Sequence, residues 1–163
     1  MDSFNLTRTA LLTLFRETFE GVAEGNSGTW FVEGREGMFD AVEQATAQVA
    51  SRQAGEGIST LAAHADHARY YLWISNQNLR SAAGEPTIFG DWKQSWEHQV
   101  VSEAKWQEIR LGLRSEFELF VVLLDELVSF RDQDQVTYLL ANLAHAAFHL
   151  GAMRQILKLS TGN

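Results

Sequence analysis

The chain of 163 residues contains no cysteine and one proline, Pro86. Without cysteine there are no disulfide staples, thiolate metal sites, cysteine nucleophiles or thiol redox switches. Without regularly spaced prolines and tight glycine turns, an all-β sandwich is a poor expectation. No apolar run approaches the roughly 20 residues of a membrane helix; Phe117 to Val128 is broken by Glu118, Asp125 and Glu126. Positive charge is also short. Thirteen Lys and Arg against 21 Asp and Glu leave a net charge of −8, which argues against nucleic acid as a partner. The opening residues have neither the basic nor the apolar segment of a signal peptide, so a cytoplasmic location is expected, with no membrane association.

What remains is helical periodicity. The length fits one domain, residues 1–163. A first helix is predicted from about Asn5 to Glu24, with Leu11, Leu14, Phe15, Thr18, Phe19 and Val22 at steps of three and four. Gly21, Gly25, Gly28, Gly34 and Gly37 then mark a loop whose Trp30 and Phe31 should fold back on the body. A short helix follows from Met38 to Arg52. A second long helix, capped by Ser59, should reach about Ala82 before Gly84-Glu85-Pro86. Ser102 can cap a third, with Trp106, Ile109, Leu113, Phe117, Phe120 and Leu124 inward. Asp132 and Gln135, resembling a capping box, introduce a last helix to about Leu159. Four long amphipathic helices predict an all-α, four-helix bundle with one additional short helix between the first two.

The chemistry lies in the histidines. His145 and His149 form His-x-x-x-His in the last helix, a spacing that stacks both rings on one face with Cβ atoms roughly 5–6 Å apart. Small neighbours (Ala141, Ala144, Ala146, Ala147, Gly151, Ala152) leave room for an ion and a ligand. A third ligand must come from another helix. His64 flanks the Leu61–Ala65–Ala68–Leu72 stripe, and His67 lies roughly 60° further round. His64 is therefore favoured as the third ligand. His67 is expected as a partner of the ligands, a substrate contact or a surface residue. Three neutral imidazoles suit Zn²⁺ or Ni²⁺ first, with Fe²⁺ or Mn²⁺ as alternatives, and leave a position open for water or substrate.

At these residues the sequence resembles the DinB-like superfamily of metal-binding four-helix bundles. The resemblance spans nearly the whole chain. It rests on Asn142-Leu143-Ala144-His145-Ala146-Ala147-Phe148-His149-Leu150-Gly151-Ala152-Met153-Arg154-Gln155 and on Ile58-Ser59-Thr60-Leu61-Ala62-Ala63-His64-Ala65-Asp66-His67. It implies a divalent-metal site made by His64, His145 and His149, and a homodimer. Characterised relatives are thiol-dependent S-transferases and maleylpyruvate isomerases, which use a low-molecular-weight thiol, while other members are described as metal-dependent hydrolases. The resemblance thus implies a metal-dependent enzyme acting on a small-molecule substrate. The alternative is a non-catalytic dimeric bundle that binds a metal or ligand.

Other residues are weighed beside these. Trp92 and Trp96 either plug the end of the bundle or, with Trp30 and Phe31, line a substrate cleft. Arg154 either pairs with an acid or meets a substrate carboxylate. Asp66 points away from His64 by helical geometry, and His98 reads as solvated. Glu17, Glu20 and Glu24 read as a solvated face, because no Glu lies three residues before a histidine as a di-iron site requires.

Overall fold

A computed structural model describes residues 2–22, 25, 29–32, 34–82, 84–91 and 93–161. Among them there are helices and no strands. The long helices are α1 (Ser3–Glu20), α4 (Leu61–Arg80), α5 (Glu103–Glu126) and α6 (Gln133–Thr161). The short ones are α2 (Met38–Glu43) and α3 (Ala47–Ala50), and a 3₁₀ turn spans Gln94–Trp96. α4 packs on both α5 and α6, and α1 packs against α2, α5 and α6.

Each long helix starts where a side chain can satisfy its free N–H groups. Asp2 Oδ1 accepts from Asn5 N at 2.8 Å, and Ser102 Oγ from Lys105 N at 3.2 Å. Thr60, rather than the expected Ser59, caps α4: its Oγ1 accepts from Ala63 N at 3.3 Å and donates to Gln99 O at 2.7 Å. At the α5–α6 turn, Asp132 Oδ1 accepts from Gln135 N, and Gln135 Oε1 accepts from Arg131 N, both at 2.8 Å. The expected short helix is two. Thr46 Oγ1 accepts from Val49 N and starts α3 afresh. The break leaves the Ala45 carbonyl to accept from the fully buried Trp106 indole N–H at 2.8 Å.

The core follows the predicted stripes. Trp106, Ile109, Leu113, Phe117, Phe120 and Leu124 of α5 are all buried. Phe15 meets Phe120 with ring centroids 4.5 Å apart, and Phe19 stacks on Phe117 at 4.7 Å. On α6, Leu139, Leu150 and Leu157 are buried, while Thr137, Ala144, Gln155 and Lys158 face solvent.

α1 ends at Glu20, four residues earlier than expected, and is capped by Gly21 at φ 75°. A Cβ here would strike Arg35 O, and one at Gly37 would strike the backbone of Gly21. The two glycines thus let the returning loop pass against the helix end, where Val22 N donates to Arg35 O at 3.0 Å. Glu17 then corrects the reading of a solvated acidic face. It is only 6% exposed, and its carboxylate accepts from the backbone N–H groups of Trp30, Phe31 and Val32, each at 2.9 Å. Burial alone would raise its pKa, but these three donors reverse the sign and lower it. Glu24 lies outside the described residues.

Hydrogen bonds to a charged group contribute about 1.5–3 kcal/mol, so Glu17→Gln, which keeps the shape and removes the charge, should destabilise the fold by about 1–3 kcal/mol. Urea unfolding measures this. A loss below about 0.5 kcal/mol would mean that the carboxylate does not hold the loop.

Candidate metal centre

α4 carries two inward sectors. One is the predicted Leu61–Ala65–Ala68–Leu72 stripe. The other, roughly 90° round the helix, carries His64, His67, Tyr71, Ser75 and Asn78 at steps of three and four. On α6, Asn142, His145 and His149 share one face at steps of three and four. These polar faces meet. Asn142 Nδ2 donates to Ser75 Oγ, and Ser75 Oγ donates to Tyr71 O at 2.7 Å.

At one end of this seam three ring nitrogens converge. His67 Nε2 lies 2.9 Å from His145 Nε2, and His149 Nε2 lies 2.9 Å from the same atom. The ligand-capable nitrogens of His67, His145 and His149 all fall within 4.8 Å of one another. His67 and His149 are buried; His145 is half-buried.

The outer nitrogens have their own partners. His67 Nδ1 lies 3.0 Å from Ser95 Oγ, and His149 Nδ1 lies 2.8 Å from His64 Nδ1. A proton on Nδ1 of both rings makes each the donor of its outer hydrogen bond and aims its Nε2 lone pair inward. This is the arrangement by which surrounding groups orient metal-binding histidines. Protons alone do not satisfy the centre. His145 Nε2 faces two nitrogens, and a neutral imidazole offers one donor or one lone pair there. A cation sharing three lone pairs resolves the conflict, so the donor set fits a divalent metal.

The cluster draws its α4 member from His67, where the sequence reading favours His64. Burial could not separate the two, because every residue from Leu61 to Ala68 is buried. The choice is made by what covers α4. The Gln94–Trp96 turn lies on it, with Ser95 against His67 and the Trp96 ring stacked on His67 at 4.2 Å and 29°. His64 instead meets Trp96 edge-on at 5.1 Å and backs His149. Trp96 therefore roofs the cluster.

The remaining candidates fall elsewhere. Trp92 lies outside the described residues. Trp30 is 77% exposed. Arg154 and Phe31 line a separate cavity of about 260 Å³ with Val32, Leu150 and Lys158, on the side of α6 turned away from the histidines. Asp66, as expected, points away from His64: its carboxylate holds Arg69 Nε at 2.6 Å and His98 Nδ1 at 2.5 Å. His98 is thus fixed by a buried acid rather than simply solvated.

Tyr71, Ser95 and Tyr138 were missed as site residues. Tyr71 sits one turn after His67, and its ring lies 4.7 Å from both His67 and His145. Tyr71, Tyr138, Ala141, Asn142 and His145 line a cavity of about 310 Å³. The helical spacing of Tyr71 from His67 and of Tyr138 from His145 is the signal that could have found the two tyrosines.

Burial keeps all four clustered imidazoles neutral. It lowers His64 to about 4, and it lowers His145. His67 is held at about 4 by burial and then by the neighbouring His145, and His149 at about 2 by burial and then by the other three rings. The chain matches no protein-family model, no curated protein and no solved structure.

The depressed values carry a pH dependence. An unfolded histidine takes up a proton near pH 6.5, whereas these stay neutral in the fold until about pH 4 or below. Stability of the metal-free protein is thus fully present above about pH 6.5 and is lost as pH falls toward about 4. Thermal unfolding in chelator should show the midpoint dropping steadily between about pH 7 and pH 5. A flat midpoint over that window would mean that the rings protonate in the fold as readily as in the unfolded chain.

Proposed function

We propose that this protein is a mononuclear metalloenzyme built on a DinB-like four-helix bundle, with His67, His145 and His149 as the metal ligands. The observation that carries this reading is the approach of three Nε2 atoms that hydrogen bonds cannot all satisfy. Zn²⁺ or Ni²⁺ is the expected ion, ahead of Fe²⁺ or Mn²⁺, because the donors are neutral imidazoles without thiolate or carboxylate. Held by these three neutral imidazoles, such an ion would keep its full charge and would supply acidification of a water or binding of a thiolate.

The protein's own residues do the rest. Ser95 and His64 hold the Nδ1 atoms of His67 and His149, which fixes both ring planes. Trp96 covers His67 and excludes water from that side. His145, the half-buried member, faces the 310 Å³ cavity and is the point of access. Among the described residues, those that line that cavity (Tyr71, Tyr138, Ala141, Asn142 and His145) include no carboxylate to act as general base. This favours reactions in which the bound nucleophile is activated by the ion alone: hydrolysis, or transfer or isomerisation with a low-molecular-weight thiol as cosubstrate.

Elemental analysis of protein purified without a metal-affinity tag tests the site. One divalent ion per chain is expected, lost in His67→Ala and His149→Ala. His64→Ala should retain it with affinity reduced about 10- to 100-fold, the usual effect of removing a group that orients a ligand. Stoichiometric metal in His67→Ala would contradict the ligand set. Ester, amide and thiol-conjugation substrates then test catalysis. An enzyme should lose turnover in His145→Ala while largely keeping its stability. A large fall in stability with no turnover in the parent would instead identify a structural ion, whose binding energy is folding energy.

We also propose that the chain forms a homodimer. The face around Trp73, Ile88 and Phe89 supports this, since all three are exposed and the Trp73 ring lies 5.8 Å from Tyr70. Sedimentation at micromolar concentration should show a species of twice the 18.3 kDa chain, reverting to the monomer in Trp73→Asp. A monomer in the parent protein would refute the dimer.

A further inference from the structure

The cavity beside His145 has a composition that restricts what can occupy it. Two tyrosine rings and the Ala141 methyl group form most of its walls, and Asn142 and His145 supply the polar end. None of these five residues is an acid, a lysine or an arginine. The Asn142 amide is already engaged, donating from Nδ2 to Ser75 Oγ. At about 310 Å³ the cavity is at the small end of the roughly 300–1,000 Å³ of small-molecule sites.

Its position is as informative as its lining. The Tyr71 ring lines the cavity and borders the histidine cluster, its centroid 4.7 Å from those of both His67 and His145. Of the three clustered histidines only His145 is half-buried, and it is the one that lines the cavity. A molecule bound against Tyr71 and Tyr138 therefore has one end at His145 and the rest among apolar surface. A charge on that distal part would meet no counter-charge among these five residues and would lose part of its hydration against apolar walls. A planar ring suits the aromatic walls.

From this we infer that the pocket takes a compact molecule of about one ring, carrying a single polar group at the His145 end and no charge on its far end. The inference rests on the metal-centre reading for which end reacts, but the pocket itself does not depend on the ion. Molecules with a distal carboxylate, and the bulk of a polar thiol cofactor, are excluded from it. Such a thiol would have to approach from outside, with the cavity holding the acceptor.

The test uses a pair of probes, 4-methylbenzyl alcohol and 4-carboxybenzyl alcohol, titrated into the full-length protein with and without Zn²⁺ by ligand-observed NMR. The methyl compound should bind, and the carboxylate compound should bind at least tenfold more weakly. Ala141→Phe, on the exposed rim, should fill the cavity and weaken binding at least tenfold with metal content unchanged; Ala141→Leu serves if the larger residue impairs folding. Equal affinity for the two probes, binding of neither, or indifference to both Ala141 substitutions would overturn the inference. Metal content separates the two readings. Protein that takes no ion yet binds the methyl probe in an Ala141-sensitive way keeps the pocket and loses the metal centre. Protein that binds its ion and neither probe keeps the centre and loses the pocket.

Discussion

A neutral imidazole has one N–H and one lone pair, and both must be used when the ring is buried. Four such rings lie together between α4, α6 and the Gln94–Trp96 turn. Around the outside the stoichiometry works: Ser95 meets His67, and His64 meets His149. At the centre it does not, because His145 Nε2 faces two further Nε2 atoms at 2.9 Å each. Protonating a ring to supply the missing donor is opposed by burial, which pulls His149 down to about 2. The three converging ring nitrogens are a donor set that could hold one cation.

The seam extends this logic along the helices. Tyr71, Ser75 and Asn78 continue the polar face of α4, and Asn142 answers from α6. Asn78 also clamps the following linker: Nδ2 donates to Ile88 O at 2.9 Å, and Oδ1 accepts from Ile88 N at 2.8 Å. Thr60 and Gln99 make a second such fastening at the start of α4. The linker after α4 is thus tied back to that helix at both ends, and this brings Ser95 and Trp96 onto His67. The cluster's geometry depends on the backbone path of a segment with little regular structure.

That dependence explains which features were legible in the sequence. The His145–His149 pair was, because four-residue spacing on a helix is a local property. The α5 stripe was legible for the same reason. The choice between His64 and His67 was not. Both lie in the α6-facing sector of a helix whose first two turns are buried on every side, and their surroundings are set apart by Ser95 and Trp96, some 30 residues later in the chain. Glu17 was misread because its partners are three backbone N–H groups of a loop, which leave no side-chain pattern. The α2–α3 break was overlooked although Thr46 is a good cap, since its cause is tertiary: the buried Trp106 indole needs the Ala45 carbonyl.

The most direct test of the central claim is to follow the histidine ring nitrogens by long-range ¹H–¹⁵N NMR as one equivalent of Zn²⁺ is added. The account predicts that Nε2 of His67, His145 and His149 move together to metal-bound shifts, with Nδ1 of His67 and His149 remaining protonated, while His64 acquires no metal-bound nitrogen. A metal-bound nitrogen on His64 with His67 unmoved, or no metal-bound nitrogen on any ring, would contradict it.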